Sequence, residues 1–119
     1  MGYLIYGNAS EYEIDDRALA HLKVVIGSKL RRQESFFLNW VNEPEAGSGR
    51  VSLWVSPSIP LQFRFFGSRP ATLNRIWLEV MADLSHTVRG LVLIPEAEAE
   101  AIKRGEKSDA DEEGVGAGV

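Results

Sequence analysis

The sequence has no cysteine. That excludes disulfide staples, cysteine-based zinc sites and thiol nucleophiles. Histidine is almost as scarce, with only His21 and His86, so no histidine-rich metal motif can be built. No stretch approaches the ~18 consecutive apolar residues that a membrane-spanning helix needs. The first residues, Met1-Gly2-Tyr3-Leu4-Ile5-Tyr6-Gly7, have neither the basic start nor the apolar run of a secretory leader. Tyr6 stands where a myristoylation signal would need serine or threonine. These absences predict a cytoplasmic protein with no membrane partner.

An excess of positive charge is also missing. The chain carries 13 Lys and Arg against 17 Asp and Glu, a formal net charge of −4. Residues 1–95 hold ten basic and nine acidic side chains (+1), and residues 96–119 hold three and eight (−5). The body is nearly neutral, unlike the basic domains that attract nucleic acid through bulk charge. A length of 119 residues and an apolar share of 45% fit one globular domain.

What is present reads as alternating strands and helices. Tyr3–Tyr6 and Glu11–Ile14 are β-prone runs joined by the turn residues Gly7-Asn8, a predicted hairpin. Asp15-Asp16 suits a helix start, by capping and by charge at the positive end of the dipole. Leu19, Leu22, Ile26 and Leu30 then recur at helical spacing, and Gly27 would let that helix approach a sheet. Ser35–Val41 has apolar side chains on both faces, as a central strand should. Asn42–Arg50 reads as a flexible loop. Val51–Val55 and Leu61–Phe66 alternate and are joined by the proline-stiffened Ser56–Pro60, which predicts a second hairpin. Leu73, Ile76, Trp77, Val80, Met81 and Leu84 mark a second helix, ended by Ser85-His86-Thr87. Leu91–Ile94 is a last strand.

The predicted order is β-β-α-β-β-β-α-β. Amphipathic helices need a sheet to cover, so the expected fold is α+β: a two-layer sandwich of a mainly antiparallel sheet with two helices on one face. Residues 1–95 form the domain. Residues 96–105 alternate Glu and Ala and suit a short exposed helix stopped by Gly105. Residues 106–119 lack periodicity and read as a disordered acidic tail.

Several runs carry a family resemblance: Asp15-Asp16-Arg17, Leu19-Ala20-His21-Leu22, Val25-Ile26-Gly27, Lys29-Leu30-Arg31-Arg32, Glu34-Ser35-Phe36-Phe37 with Trp40, Pro57-Ser58-Ile59-Pro60-Leu61 and Gly67-Ser68-Arg69-Pro70. Together they resemble a family of small uncharacterised actinobacterial proteins whose members often carry the name ATP-dependent DNA ligase. The resemblance spans about residues 1–95 and implies no catalytic residues. The ligase chemistry itself needs a lysine nucleophile in a Lys-x-Asp-Gly setting. Lys23, Lys29, Lys103 and Lys107 all lack it; Lys107-Ser108-Asp109 comes nearest, and Ala110 follows. No nucleophile–base arrangement stands out, so no catalytic residue, metal or cofactor is expected.

The informative candidates are binding surfaces. If Val51, Leu53, Leu61, Phe63 and Phe65 face the helices, the opposite face shows Phe37, Asn39, Ser52, Trp54, Gln62, Arg64 and Phe66. Aromatic side chains interleaved with arginine suit a protein interface, and a homo-oligomer is the commonest partner for an open face on a small protein. Phe37, Trp54, Arg64 and Phe66 are the candidate anchors. The same composition could stack and pair single-stranded bases, which makes nucleic acid the alternative partner. Phosphate contacts would then come from Ser68, Arg69, Thr72 and Arg75, where a strand turns into a helix, and from the basic run Lys29, Arg31 and Arg32. The plainer accounts are a capped turn and a solvated helix end. Asp15 and Asp16 with His21 are likewise better explained by capping and solvation than by a metal or acid–base cluster.

Overall fold

The structure is a computed structural model that describes residues 1–42 and 49–105. Its elements follow the predicted order, followed by the short helix expected within 96–105: β1 (Gly2–Tyr6), β2 (Ser10–Ile14), α1 (Asp16–Arg31), β3 (Phe36–Val41), β4 (Arg50–Val55), β5 (Leu61–Arg64), α2 (Arg75–Leu84), β6 (Leu91–Val92) and α3 (Glu96–Lys103). The fold is α+β. Residues 43–48, the middle of the expected loop, and the expected tail at 106–119 lie outside the described residues.

The strands do not share one sheet. One sheet has the order β2-β1-β5, and the other β4-β3-β6. The first hairpin is present, antiparallel from Gly2↔Ile14 to Tyr6↔Ser10, and Gly7 supplies the positive φ of its turn (+66°). The second hairpin is not. β4 pairs with β3, whereas β5 pairs with β1. Ser56–Pro60 carries the chain from one sheet to the other instead of folding it back. Its backbone closes on itself, Ile59 N–H donating to Ser56 C=O (3.1 Å), and Gly7 N–H binds Pro60 C=O (2.9 Å) at the tip of the first hairpin. β6 adds to β3 in parallel, Leu38↔Leu91 and Asn39↔Val92.

Alternation fixes what each strand buries. Leu4, Ile14, Phe36, Leu38, Trp40, Leu53, Val55 and Leu91 point inward. Leu19, Leu22, Val25 and Ile26 from α1 and Trp77, Val80 and Met81 from α2 complete the core. Leu61, Phe63 and Phe65 pack against it partly buried. A T-shaped contact of Tyr12 with Trp40, ring centroids 5.5 Å apart, joins the two sheets within it.

Four local expectations need correction. β3 is central in its sheet, yet it is apolar on both faces without being covered on both: Phe37 and Val41 are exposed. α2 starts at Arg75 behind the cap Asn74, and Leu73 lies outside it and half in solvent. No atom comes within 4 Å of a Cβ built on Gly27, so that glycine marks no close approach. α3 is a helix, ended by Gly105 in the left-handed region (φ +85°), but it is docked rather than exposed. Ala99 is fully buried, because α3 lies along α2 and two of its glutamates are bound by the body of the protein, as described next.

Candidate functional site

The outer face of β4-β3-β6 is built from three cross-strand rows: Phe37 opposite Trp54, Asn39 opposite Ser52, and Val41 opposite Arg50. The two rings meet edge to face, with centroids 5.0 Å apart, a geometry aromatic pairs favour. They stay 47% and 46% exposed, and Val41 72%. The polar row is tied down: Ser52 Oγ donates to Asn39 Oδ1 (2.5 Å), and Asn39 Nδ2 donates to Arg89 C=O (2.8 Å). Tyr6 Oη donates to Trp54 C=O (2.5 Å), so the other sheet holds the tryptophan backbone in place. Beside the rows runs an open groove of about 630 Å³, bordered by Asn39, Val41, Arg50, Ser52, Arg89 and Val92.

The four expected anchors therefore separate into two pairs. Phe37 and Trp54 share this face. Arg64 lies on the other sheet, where it pairs with Glu11 (3.5 Å) and stacks over Tyr3 at 5.0 Å. Phe66 follows the end of β5 and is 85% exposed. Among the described residues, no hydrogen bond, ion pair or ring contact links one pair to the other. The expected continuous face required β4 and β5 to be neighbours, and they belong to different sheets.

The candidate phosphate contacts are dispersed as well. Ser68 and Arg69 line a cleft beside Asp16 and Lys23. Thr72 offers its carbonyl to Arg17 Nη1 (2.7 Å). Arg75 is paired with Glu79 (3.2 Å). Glu34 answers two of the three charges in the basic run, reaching Lys29 at 3.1 Å and Arg32 at 2.8 Å, and these bonds, Arg32 first, hold its carboxyl below the usual range. Lys29 is buried over the Phe36 ring. Arg31 alone of the run is exposed without an ion pair among the described residues.

Several of the N–H groups at these turns are satisfied from within. Asn74 Oδ1 accepts from Ile76 N–H and Trp77 N–H (3.0 and 3.3 Å), capping α2. The Asp16 carboxylate accepts from Phe66 N–H and Gly67 N–H (3.1 and 2.9 Å). Those two bonds, Gly67 first, lower its pKa. Asp15 caps α1 through Ala18 N–H (3.2 Å), as its position suggests.

The least anticipated feature is a polar network between α1, α2 and α3. His21, expected in solvent, is fully buried and stacked on Trp77 with centroids 4.3 Å apart. Its Nδ1 lies 2.7 Å from Arg17 C=O, and its Nε2 accepts from Asn74 N–H (2.7 Å). A carbonyl can only accept, so Nδ1 carries the hydrogen and the ring is neutral. Arg17 forks onto Glu96 (3.0 and 2.7 Å). Asn74 Nδ2 donates to Glu96 and Glu100 (2.7 and 3.1 Å). The Arg17 bond first, and the Asn74 bond next, lower Glu96 from 4.5 to about 2, and the same pairing raises Arg17. Asn74 is missed in sequence, because Leu73 before it is counted into the helix; an Asn just before an apolar periodic run is the sign that would find it. Among the described residues, no group of three or more His, Asp or Glu is placed to hold a metal ion.

A carboxyl with a depressed pKa stabilises the fold above its unfolded value and loses that contribution as the pH falls through its folded value. Urea midpoints should fall from pH 4.5 toward about 2, the window set by Glu96. Glu96→Gln should make that fall shallower. A slope equal to that of the wild type would show that Glu96 is not linked to folding.

A family model described as a domain of unknown function (DUF7882) matches residues 1–96. The chain belongs to the DUF7882 family. The DUF7882 match takes in every strand with α1 and α2 and ends at Glu96, the first residue of α3. Its description names no activity. No curated protein and no solved structure matches the chain.

Proposed function

We propose that this DUF7882 protein is a non-enzymatic interaction module that associates with a second copy of itself through the outer face of β4-β3-β6. The observation that carries the proposal is the half-exposed Phe37–Trp54 pair, with Val41 exposed beyond the Asn39–Ser52 row on the same face and the Trp54 carbonyl held by the Tyr6 hydroxyl. Half-exposed aromatic rings on a fixed backbone are the anchors interfaces favour, because little entropy is lost on binding. A two-fold axis would set one copy's rings on the other's. The nearly neutral body, +1 over residues 1–95 from ten basic and nine acidic side chains, lets two copies approach without strong repulsion. Arg64 and Phe66 drop out of the anchor set, and Arg50 becomes a rim residue. The reading takes the protein to work in the cytoplasm; among the described residues no helix is long and apolar enough to cross a membrane.

Trp54→Ser should weaken self-association about tenfold or more, as loss of an aromatic anchor does, while circular dichroism stays that of the wild type. Equal association by both proteins in sedimentation equilibrium would refute the proposed face.

One observation favours a second reading. Arg50 and Arg89 border the groove beside the Asn39–Ser52 row of the same sheet face, and neither forms an ion pair among the described residues. Aromatic rings with arginines on the same sheet face suit single-stranded nucleic acid. Such binding would weaken steeply with salt through counterion release.

A further inference from the structure

We propose that the cleft between α1 and residues 65–73 binds a small carboxylate with an apolar tail. The cleft encloses about 340 Å³, within the range of small-molecule sites. Its walls are largely apolar. Phe65 is partly buried there, while Val24 and Leu73 expose 39% and 47% of their surface at its mouth. Two cations border it, Lys23 from α1 and Arg69 from the loop. Neither makes an ion pair among the described residues. Lys23 Nζ stands 6.0 Å from the centre of the Phe65 ring, so a charged head and an apolar tail would be held side by side.

The chemistry separates this ligand from a phosphate. A phosphate has no apolar part to place against Val24, Phe65 and Leu73, and two of the loop's N–H donors, Phe66 and Gly67, are already taken by the Asp16 carboxylate. Two cations against that one carboxylate leave a net charge of +1 (2 − 1), which suits a single negative charge. Ser68 lines the same cleft, and its hydroxyl would supply a donor to the ligand's second oxygen. The apolar remainder gives a tail more to gain than water does. This cleft is separate from the Phe37–Trp54 face, so either proposal can fail without the other.

The test is a titration of the full chain with octanoate, followed by amide NMR shifts at fixed pH and salt. Octanol and inorganic phosphate are the controls. Saturable shifts should appear at Lys23, Val24, Ser68, Arg69 and Leu73, with both controls weaker by about tenfold or more. Lys23→Gln and Arg69→Gln change exposed side chains and should keep the wild-type melting temperature. Each should weaken octanoate about tenfold, the usual loss when a charged partner is removed. Octanol binding as well as octanoate would show that the cations recognise nothing, and phosphate binding as well would show that the apolar walls do not matter. Absent shifts, shifts confined to other residues, or a double variant that binds like the wild type would overturn the site.

Discussion

Replacing His21 with leucine should cost the fold about 2–4 kcal/mol, the sum of one buried N–H left unpaired and one aromatic stack lost. The ring is fully buried and joins three elements at once. It caps the approach of Asn74 N–H, binds Arg17 C=O and lies flat on Trp77. Leucine fills much of the space but offers Asn74 no acceptor. Global stabilities of domains this size run to roughly 5–15 kcal/mol, so the loss is a large fraction. It corresponds to a fall of roughly 15 °C in Tm. His21→Phe separates the two contributions, because it keeps a ring on Trp77 and removes only the hydrogen bonds. A His21→Phe protein with the wild-type urea midpoint would show that the hydrogen bonds do not matter.

Gly90→Ala should be nearly as damaging, for a different reason. Gly90 has φ +79°, and a Cβ built there would stand 2.6 Å from the Phe37 carbonyl oxygen. The obstacle is the backbone of β3, which cannot swing aside as a side chain would. Alanine therefore meets the left-handed strain of about 1–2 kcal/mol and must also push β6 away from β3. A total of about 3 kcal/mol is expected. Hydrogen exchange should speed up at Leu38, Asn39 and Leu93, which surround this pairing. Gly7→Ala is the matched comparison. Gly7 has φ +66° but no atom within 4 Å of its would-be Cβ, so it should show the conformational cost alone. Equal losses for the two variants would mean that the close approach at Phe37 is not a constraint.

The local layer of this fold was legible in sequence because local physics determines it. Gly7 makes a hairpin turn, Asp15 caps a helix, Gly105 ends one, and alternation put Leu53 and Val55 inside with Trp54 outside. Partner choice between strands was not legible. β4 and β5 alternate as a hairpin would, and nothing in Ser56–Pro60 says that β5 will cross to β1. That single choice split the expected anchor set and sent Arg64 to Glu11 and Tyr3. The buried network was hidden for a related reason. Arg17 and His21 lie a turn apart on α1, but Asn74 and Glu96 are more than fifty residues further on, and no local pattern ties the two stretches together. The packing of α1 on α2 brings His21 to Asn74 and Trp77, and the docking of α3 adds Glu96 and Glu100; the alternating Glu and Ala of α3 look like those of a free helix until Ala99 is seen to be buried.

Light-scattering mass over a rising protein concentration tests the proposed interaction face most directly. The account predicts a mass that climbs toward twice 13.2 kDa for the wild type, at a much higher concentration for Trp54→Ser. A wild-type mass that stays at 13.2 kDa throughout would contradict it.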